Sequence, residues 1–209
     1  MSGRVSRRRV LAGLGGMTLL GGCGVLPEFT EPVNLYTLTP KTTFGNGLPK
    51  VGWQLIVELP VAAAGLDTAR IALQHTPYTL EYYARSAWTD NAPAMVQTLI
   101  IESFESTGSI LAVGREAIGL RPDFILKTDL REFQALYFNN EGTAPAIFVR
   151  MNAKLVQMPE RRIVSSNTFD ARVQAASDSF KDIIEAFDDA LGRVIKSIVV
   201  STLTYTPTA

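Results

Sequence analysis

Apolar residues near the carboxyl end of the chain recur at steps of three and four residues, the period of an amphipathic helix. They lie between about Ser177 and Val200 and include Phe180, Ile183, Ile184, Phe187, Leu191, Val194, Ile195 and Ile198. A second helix is predicted to begin at Asn91-Ala92-Pro93, because proline is tolerated in the first turn of a helix. Its broad apolar face includes Met95, Leu99 and Phe104 and continues to about Ser106, which predicts a well buried helix.

Three long segments between these helices have the composition and alternation of β-strands. They cover Asp123–Phe138, Ala146–Met158 and Arg162–Arg172, and they are joined by two short turn sequences. Apolar and polar residues alternate in the first two, which predicts an antiparallel meander with one buried and one solvated face. Shorter strands are predicted at Trp53–Leu59, ended by Pro60, at Ser109–Val113, and in a hairpin of Ile71–Gln74 and Tyr78–Tyr83 around His75-Thr76-Pro77.

Two amphipathic helices and a half-solvated sheet combine most simply when both helices lie on the same sheet face. The predicted fold is therefore a two-layer α+β domain, with an antiparallel sheet and two amphipathic helices packed on one face. The other face is expected to be exposed or to bind a partner.

The amino-terminal pattern differs from that of the domain. An uncharged apolar run, Val10 to Gly22, follows Arg7-Arg8-Arg9 and ends at Cys23, the only cysteine of the chain. The run is too short to cross a bilayer, which takes about 20 residues, and fits a cleaved signal peptide. We interpret residues 1–22 as a bacterial lipoprotein signal peptide and Cys23 as the lipidation site, in preference to a structural cysteine that follows Gly21-Gly22 by chance.

The export route of this signal has two readings. Ser6 to Leu11 is similar to a twin-arginine signal, although Val10 stands where phenylalanine is commoner. An ordinary basic segment has almost the same composition, so the sequence leaves both routes open.

Residues 23–49 are predicted to be the lipid anchor and tether, and residues 50–209 the folded domain. The tether segment is rich in proline and glycine and lacks sustained periodicity. Within it, Leu35-Tyr36-Thr37-Leu38 alternates, and we expect it to dock on the domain as an edge strand. The free tether would then be shortened to about ten residues.

Charge and cysteine content exclude some classes of partner. The chain has 20 basic and 20 acidic residues, and loss of Arg4, Arg7, Arg8 and Arg9 with the signal peptide leaves a net charge of −4. A mildly acidic chain without a basic cluster is not expected to bind nucleic acid. Acylation of the sole cysteine would leave none for a disulfide, so stability is expected from packing alone.

No pattern in the sequence indicates catalysis. His75 is the only histidine and falls in a predicted turn, so we expect no metal site built from histidines and no triad. Asp182, Glu185, Asp188 and Asp189 share the polar side of the last helix with basic residues and are interpreted as a solvated face. We predict no catalytic residues, no metal and no cofactor.

Five aromatic residues lie near predicted strand ends and loops, where a partner or lipid surface is one interpretation and core packing the more usual one. They are Tyr82, Tyr83, Trp88, Tyr137 and Phe138.

The order of several short motifs carries a family resemblance. They are Cys23, Leu35-Tyr36-Thr37-Leu38, Val57-Glu58-Leu59-Pro60, Leu66-Asp67, Arg70-Ile71, Tyr82-Tyr83-Ala84-Arg85 with Trp88, Arg121-Pro122-Asp123-Phe124, Phe133 and the last helix. The chain resembles the ABC-type transport auxiliary lipoproteins, the group that includes the paraquat-inducible C-type lipoproteins of Mce-linked lipid transport. Two positions depart from the family pattern: Ser86-Ala87 separates Arg85 from Trp88, and the loop Ala62 to Gly65 lacks an aromatic residue.

The resemblance implies a non-enzymatic lipoprotein on the periplasmic face of the outer membrane, anchored through acylated Cys23. It implies an Mce-type substrate-binding protein and an ABC permease as partners in the transport of lipids or other hydrophobic compounds, and a homo-oligomer in some members. Gly24, directly after the cysteine, agrees with outer-membrane sorting. The alternative function is an outer-membrane assembly or secretion lipoprotein that forms a structural ring.

Overall fold

The computed structural model describes residues 32–45, 47–115, 121–138 and 144–206. These residues form an α+β fold with a large, open and mostly antiparallel sheet and two helices. The strands are β1 (Asn34–Tyr36), β2 (Val51–Val57), β3 (Val61–Ala62), β4 (Arg70–Gln74), β5 (Glu81–Trp88), β6 (Ile110–Gly114), β7 (Phe124–Leu136), β8 (Ala146–Gln157) and β9 (Arg162–Gln174). The helices are α1 (Ala92–Ser106) and α2 (Phe180–Leu203).

The predicted meander is the largest part of the sheet. Strands β7 and β8 pair antiparallel from Phe124 opposite Gln157 to Leu136 opposite Ala146, and β8 pairs with β9 over its whole length. The predicted hairpin is also present, since β4 and β5 are antiparallel. The meander and the hairpin predicted from the sequence pattern are therefore both confirmed.

The other edge of β7 is shared by three shorter strands that all run parallel to it. β2 pairs with Phe124 to Leu126, β3 with Asp129 and Leu130, and β4 with Gln134 to Leu136. An irregularity between Leu130 and Glu132 lies between the β3 and β4 segments. The prediction of an antiparallel sheet is wrong for the pairing of these three strands with β7, because the alternation of side chains does not distinguish the two strand directions.

Both predicted helices are present, and their caps follow from the local sequence. In α2, the Ser179 hydroxyl accepts a hydrogen bond from the backbone N–H of Asp182 at 3.2 Å, which caps the first turn. α1 has a proline in its first turn and is buried on most sides, as its broad apolar face predicts. α2 packs against β8 and β9, and α1 packs against β2, β6 and α2.

The core is centred on three aromatic rings from different elements. Trp88, Phe133 and Phe187 are each at most 1% exposed, and their ring centroids lie 5.2 to 5.4 Å apart. Such tilted and edge-on contacts are the favoured geometries for aromatic pairs. The cluster joins β5, β7 and α2, so it connects the hairpin, the meander and the last helix.

Candidate functional site

The amino-terminal part of the described chain docks on the domain before the main sheet begins. β1 pairs with the end of β5, from Asn34 opposite Ser86 to Tyr36 opposite Trp88. The expected edge strand is thus confirmed, and it runs parallel to its neighbour. Tyr36 also contacts Phe180 at the start of α2, with ring centroids 4.7 Å apart.

Residues 37–44, which we call the strap, continue from β1 across both helices. On α2, the Thr39 backbone N–H donates to Asp188 Oδ1 at 2.6 Å, and the Thr39 hydroxyl donates to Oδ2 at 2.8 Å. Hydrogen bonds to a carboxylate are shorter and stronger than those between neutral groups. Asp188 therefore holds the chain at a defined position on the helix.

The strap is fastened to α1 by two serines. The backbone N–H of Lys41 donates to Ser103 Oγ at 2.8 Å, and Ser106 Oγ donates to the Lys41 carbonyl at 2.9 Å. Leu38 is buried, and Phe44 packs against the core. Residues of the predicted tether are therefore part of the packed structure, and Pro32–Ala209 forms one compact unit.

Residues of this amino-terminal segment line two grooves. One has a volume of about 220 Å³ and is lined by Thr37, Leu38, Thr89, Asp90, Met95, Thr98, Leu99 and Glu102. The other measures about 280 Å³ and is lined by Thr39, Pro40, Lys41, Thr42, Thr43, Glu185, Asp188, Asp189 and Gly192. Hydroxyl and carboxylate groups dominate both walls, whereas pockets for apolar ligands are lined mainly by hydrophobic and aromatic side chains.

The sequence predicts a solvated face for the four acidic residues of α2, and two of them bind neighbours on the same helix. Asp189 pairs with Arg193 at 2.6 Å, and Glu185 pairs with Lys181 at 3.0 Å. Asp188 is different, because it holds the strap. Its partner is 149 residues away in the sequence, and no local pattern indicates such a contact.

The five aromatic residues singled out in the sequence do not form one surface. Trp88 is in the core, and Tyr83 and Tyr137 are partly buried with their hydroxyl oxygens 2.9 Å apart. Tyr82 lies beneath the guanidinium of Arg70, whose Cζ is 3.6 Å from the ring centroid. Phe138 is 38% exposed. Core and rim packing therefore accounts for most of them.

Burial raises the pKa values of the two paired tyrosines, Tyr83 and Tyr137. Tyr137 also donates to Asp178 Oδ1 at 2.9 Å. Burial, the hydrogen bond to Tyr137 and nearby negative charge raise the pKa of Tyr83 far above its ordinary value. Burial raises the pKa of Tyr137 to about 12, with a further contribution from Asp178.

His75 lies in the exposed turn between β4 and β5. Its Nδ1 is 3.4 Å from Glu81 Oε1, and its ring stacks on Tyr137 with centroids 5.1 Å apart. The described residues contain no group of three or more histidine, cysteine or acidic side chains placed to hold a metal ion. Within the same residues, no helix combines the length and hydrophobicity needed to span a bilayer. Cys23 lies outside the described residues, so its lipidation stays a prediction.

Comparison with known proteins defines the class of protein. The family model of the ABC-type transport auxiliary lipoprotein component matches residues 36–199, which include the last residue of β1, the strap and most of α2. The chain belongs to this family, and the resemblance found in the sequence is confirmed. The family consists of auxiliary transport lipoproteins and is not a family of enzymes, and a lipoprotein family implies attachment to a membrane.

The chain is also similar to individual proteins. A crystal structure of a protein from Xanthomonas campestris has a TM-score of 0.77 and 33% identity, over 82% of this chain and 95% of that one. A second solved structure, of an uncharacterised protein, shares the fold with a TM-score of 0.64 at 13% identity, over 82% of this chain and 99% of that one. An uncharacterised protein of Bradyrhizobium diazoefficiens is 25% identical over 91% of this chain. The chain spans 48% of the length of that relative.

Proposed function

We propose that this protein is a non-enzymatic accessory of an ABC/Mce-type system that transports lipids or other hydrophobic compounds across the cell envelope. The family match over residues 36–199 carries the proposal. The proposed partners are an Mce-type substrate-binding protein and an ABC permease. The proposed location is the periplasmic face of the outer membrane, with acylated Cys23 as the anchor.

The amino-terminal geometry supports a short connection between anchor and domain. If residues 1–22 are removed and Cys23 is acylated, only residues 24–31 separate the anchor from the compact unit that begins at Pro32. A fully extended chain from Cys23 to Pro32 spans at most about 32 Å. Because β1 and the strap dock, the domain would stay close to the membrane.

The arrangement of the helices supports an interaction role for the sheet. α1 and α2 contact each other and the sheet, and we infer that they cover one face of a two-layer domain. The opposite face is then available to partners. The transported compound would be handled by those partners, while this protein holds the assembly at the membrane.

Affinity recovery from the native envelope after crosslinking tests this proposal. The full-length protein is compared with Cys23→Ala and with Cys23→Ala carrying an unrelated transmembrane anchor in place of the acyl group. We expect the wild type and the re-anchored variant to recover a permease and an Mce-type protein, and Cys23→Ala to lose them. Recovery of neither protein by the wild type would contradict the proposed function.

The structural-ring alternative is favoured by one observation. β9 is 13 residues long, and in the described part of the chain it pairs only with β8, which leaves a free edge. Free edges are templates for strand pairing between copies. Recovery of an outer-membrane barrel or secretin in place of the transport proteins, with the protein as a homo-oligomer, would favour this function.

A further inference from the structure

One row of side chains crosses five strands of the sheet. Its part in β8 lies on the face that points away from α2, which we call the outer face. The register places Tyr82, Ala72, Gln134, Phe148 and Arg172 side by side on β5, β4, β7, β8 and β9. Ile147 and Val149, which flank Phe148 in β8, belong to the core that includes α2. Since side chains alternate along a strand, Phe148 lies on the outer face.

Three arginine guanidinium groups stack on two aromatic rings of this row, those of Tyr82 and Phe148. Arg70 Cζ is 3.6 Å from the Tyr82 centroid, and the Cζ atoms of Arg150 and Arg172 are 4.8 Å and 4.5 Å from the Phe148 centroid. These contacts cover Phe148, which is only 6% exposed. Stacking of guanidinium groups on aromatic faces is favourable and holds them in place.

None of these three arginines takes part in an ion pair within the described residues. Arg150 is in register with Glu132 on β7 and Asp170 on β9, but neither carboxylate lies within ion-pair distance. The Glu132 carboxylate instead accepts a hydrogen bond from Gln134 Nε2 at 2.5 Å. The positive charges on this part of the face are therefore available to an external anion.

The other half of the outer face, which contains Lys127, Arg131 and Lys154, differs because its basic residues are paired with carboxylates. Lys127 binds Glu58 at 2.7 Å, and Lys154 and Arg131 lie 3.3 Å and 3.7 Å from Asp129. Within the described residues, these three basic side chains are in ion pairs, whereas Arg70, Arg150 and Arg172 are not.

Exposed apolar residues adjoin the arginine stacks on the side where the chain enters the domain. Leu35 of β1 is 64% exposed and in register with Ala87, which is in register with Arg70. Leu80, next to Tyr82 in this region, is 37% exposed. Arginine, aromatic and aliphatic side chains together are typical of surfaces that contact the interface of a bilayer.

We propose that this half of the outer face, centred on Arg70, Arg150 and Arg172, rests on a membrane surface that carries anionic phospholipid headgroups. The short chain between Cys23 and Pro32 favours a membrane over a soluble partner, and this argument rests on the lipid anchor proposed above. Guanidinium groups bind phosphate oxygens through paired hydrogen bonds. The predicted mature chain carries a net charge of −4, so attraction to such a membrane requires locally unpaired cations.

The test is sedimentation of the predicted mature chain, residues 23–209 with Cys23→Ala, with lipid vesicles. One set contains equal parts of phosphatidylglycerol and phosphatidylethanolamine, and the other contains phosphatidylcholine alone. The variant Arg70→Gln/Arg150→Gln/Arg172→Gln is compared with the matched control Lys127→Gln/Arg131→Gln/Lys154→Gln. Both variants lose three positive charges from the same face.

The parent chain is expected to bind the anionic vesicles in a salt-sensitive manner and to bind phosphatidylcholine weakly. The arginine variant should lose about 100-fold in partition coefficient, from about fivefold for each arginine. The control should retain most of its binding. Should the arginine variant prove unfolded by circular dichroism, Arg172→Gln alone serves, because its side chain is exposed, and an expected fivefold loss is still measurable.

Equal losses in the two triple variants would show that net charge alone governs binding and would overturn the proposal. Unchanged binding of the arginine variant would also overturn it. The assay contains no acyl chain and no transport protein. Its failure is therefore distinct from failure of the proposed transport function, which the affinity recovery measures.

Discussion

Thr39 and Asp188 are 149 residues apart in the sequence, and they are joined by a hydrogen bond of 2.6 Å from the Thr39 backbone N–H to Asp188 Oδ1. This contact fastens the strap to α2 directly after the edge strand β1. Any force transmitted through the amino-terminal segment would therefore act on β1, the strap and α2 together.

Asp188→Ala should loosen the strap, because it removes the acceptor of the Thr39 N–H and hydroxyl groups. We expect the free energy of unfolding to fall by about 1 kcal/mol, since the carboxylate is partly solvated and hydrogen bonds to charged groups are worth about 1.5–3 kcal/mol when shielded. Hydrogen exchange at residues 38–42 should become faster. Asp189→Ala is the matched control and removes only a surface pair with Arg193, worth about 0.5 kcal/mol. Equal effects of both changes would mean that the strap is not held by Asp188.

Phe187→Ala should destabilise the domain strongly. The ring is fully buried between Trp88 and Phe133, so truncation leaves a cavity shared by β5, β7 and α2. The expected loss in the free energy of unfolding is about 3–5 kcal/mol, measured by urea denaturation. Ile163→Ala is a surface control, because Ile163 is 56% exposed. A loss below about 1 kcal/mol for Phe187→Ala would contradict the observed packing.

The Tyr83–Tyr137 pair should make the domain sensitive to alkaline pH. Folding raises both pKa values above the ordinary value of 10.0, so the folded state favours the neutral phenols. Their contribution is complete below about pH 10 and is lost as pH rises toward about 12. The urea midpoint should therefore fall above about pH 10, and ultraviolet titration should detect two late-ionising tyrosines.

The double variant Tyr83→Phe/Tyr137→Phe should show a smaller decrease of the urea midpoint above about pH 10. Tyr78→Phe, at a side chain 95% exposed, should leave the pH dependence unchanged. An identical alkaline decrease in the wild type and the double variant would exclude the pair as its source.

Gln97→Ala should weaken the attachment of α1 to β2. The side chain is 7% exposed, and its Nε2 donates to the Val57 carbonyl at 2.9 Å while its Oε1 accepts from Arg115 Nε at 3.1 Å. Removing it leaves a buried carbonyl without this donor, at an expected cost of about 1–3 kcal/mol in the free energy of unfolding. Thr98→Ala, next along the helix, removes a contact to Arg115 but leaves the Val57 bond intact. A larger effect of Thr98→Ala in urea denaturation would contradict this account.

The sequence by itself determined the elements whose signal is local. The period of apolar residues placed α2 and α1, alternation placed β7 and β8, and the motif order identified the family, later matched over residues 36–199. It also predicts Cys23 as the lipid anchor, by a pattern that lies outside the described residues. These signals can be read from the sequence because residues on one face of a helix or strand are only a few positions apart in the chain.

Tertiary structure alone decided the contacts between distant segments. The parallel pairing of β2, β3 and β4 with β7, the Thr39–Asp188 contact and the arginine stacks on Tyr82 and Phe148 depend on strand register and chain crossover. Alternation is the same for either strand direction, and an aspartate on a polar helix face has the same local pattern whether it meets water or a backbone N–H. Only the packed chain shows which of its charges are paired and which remain available to a partner.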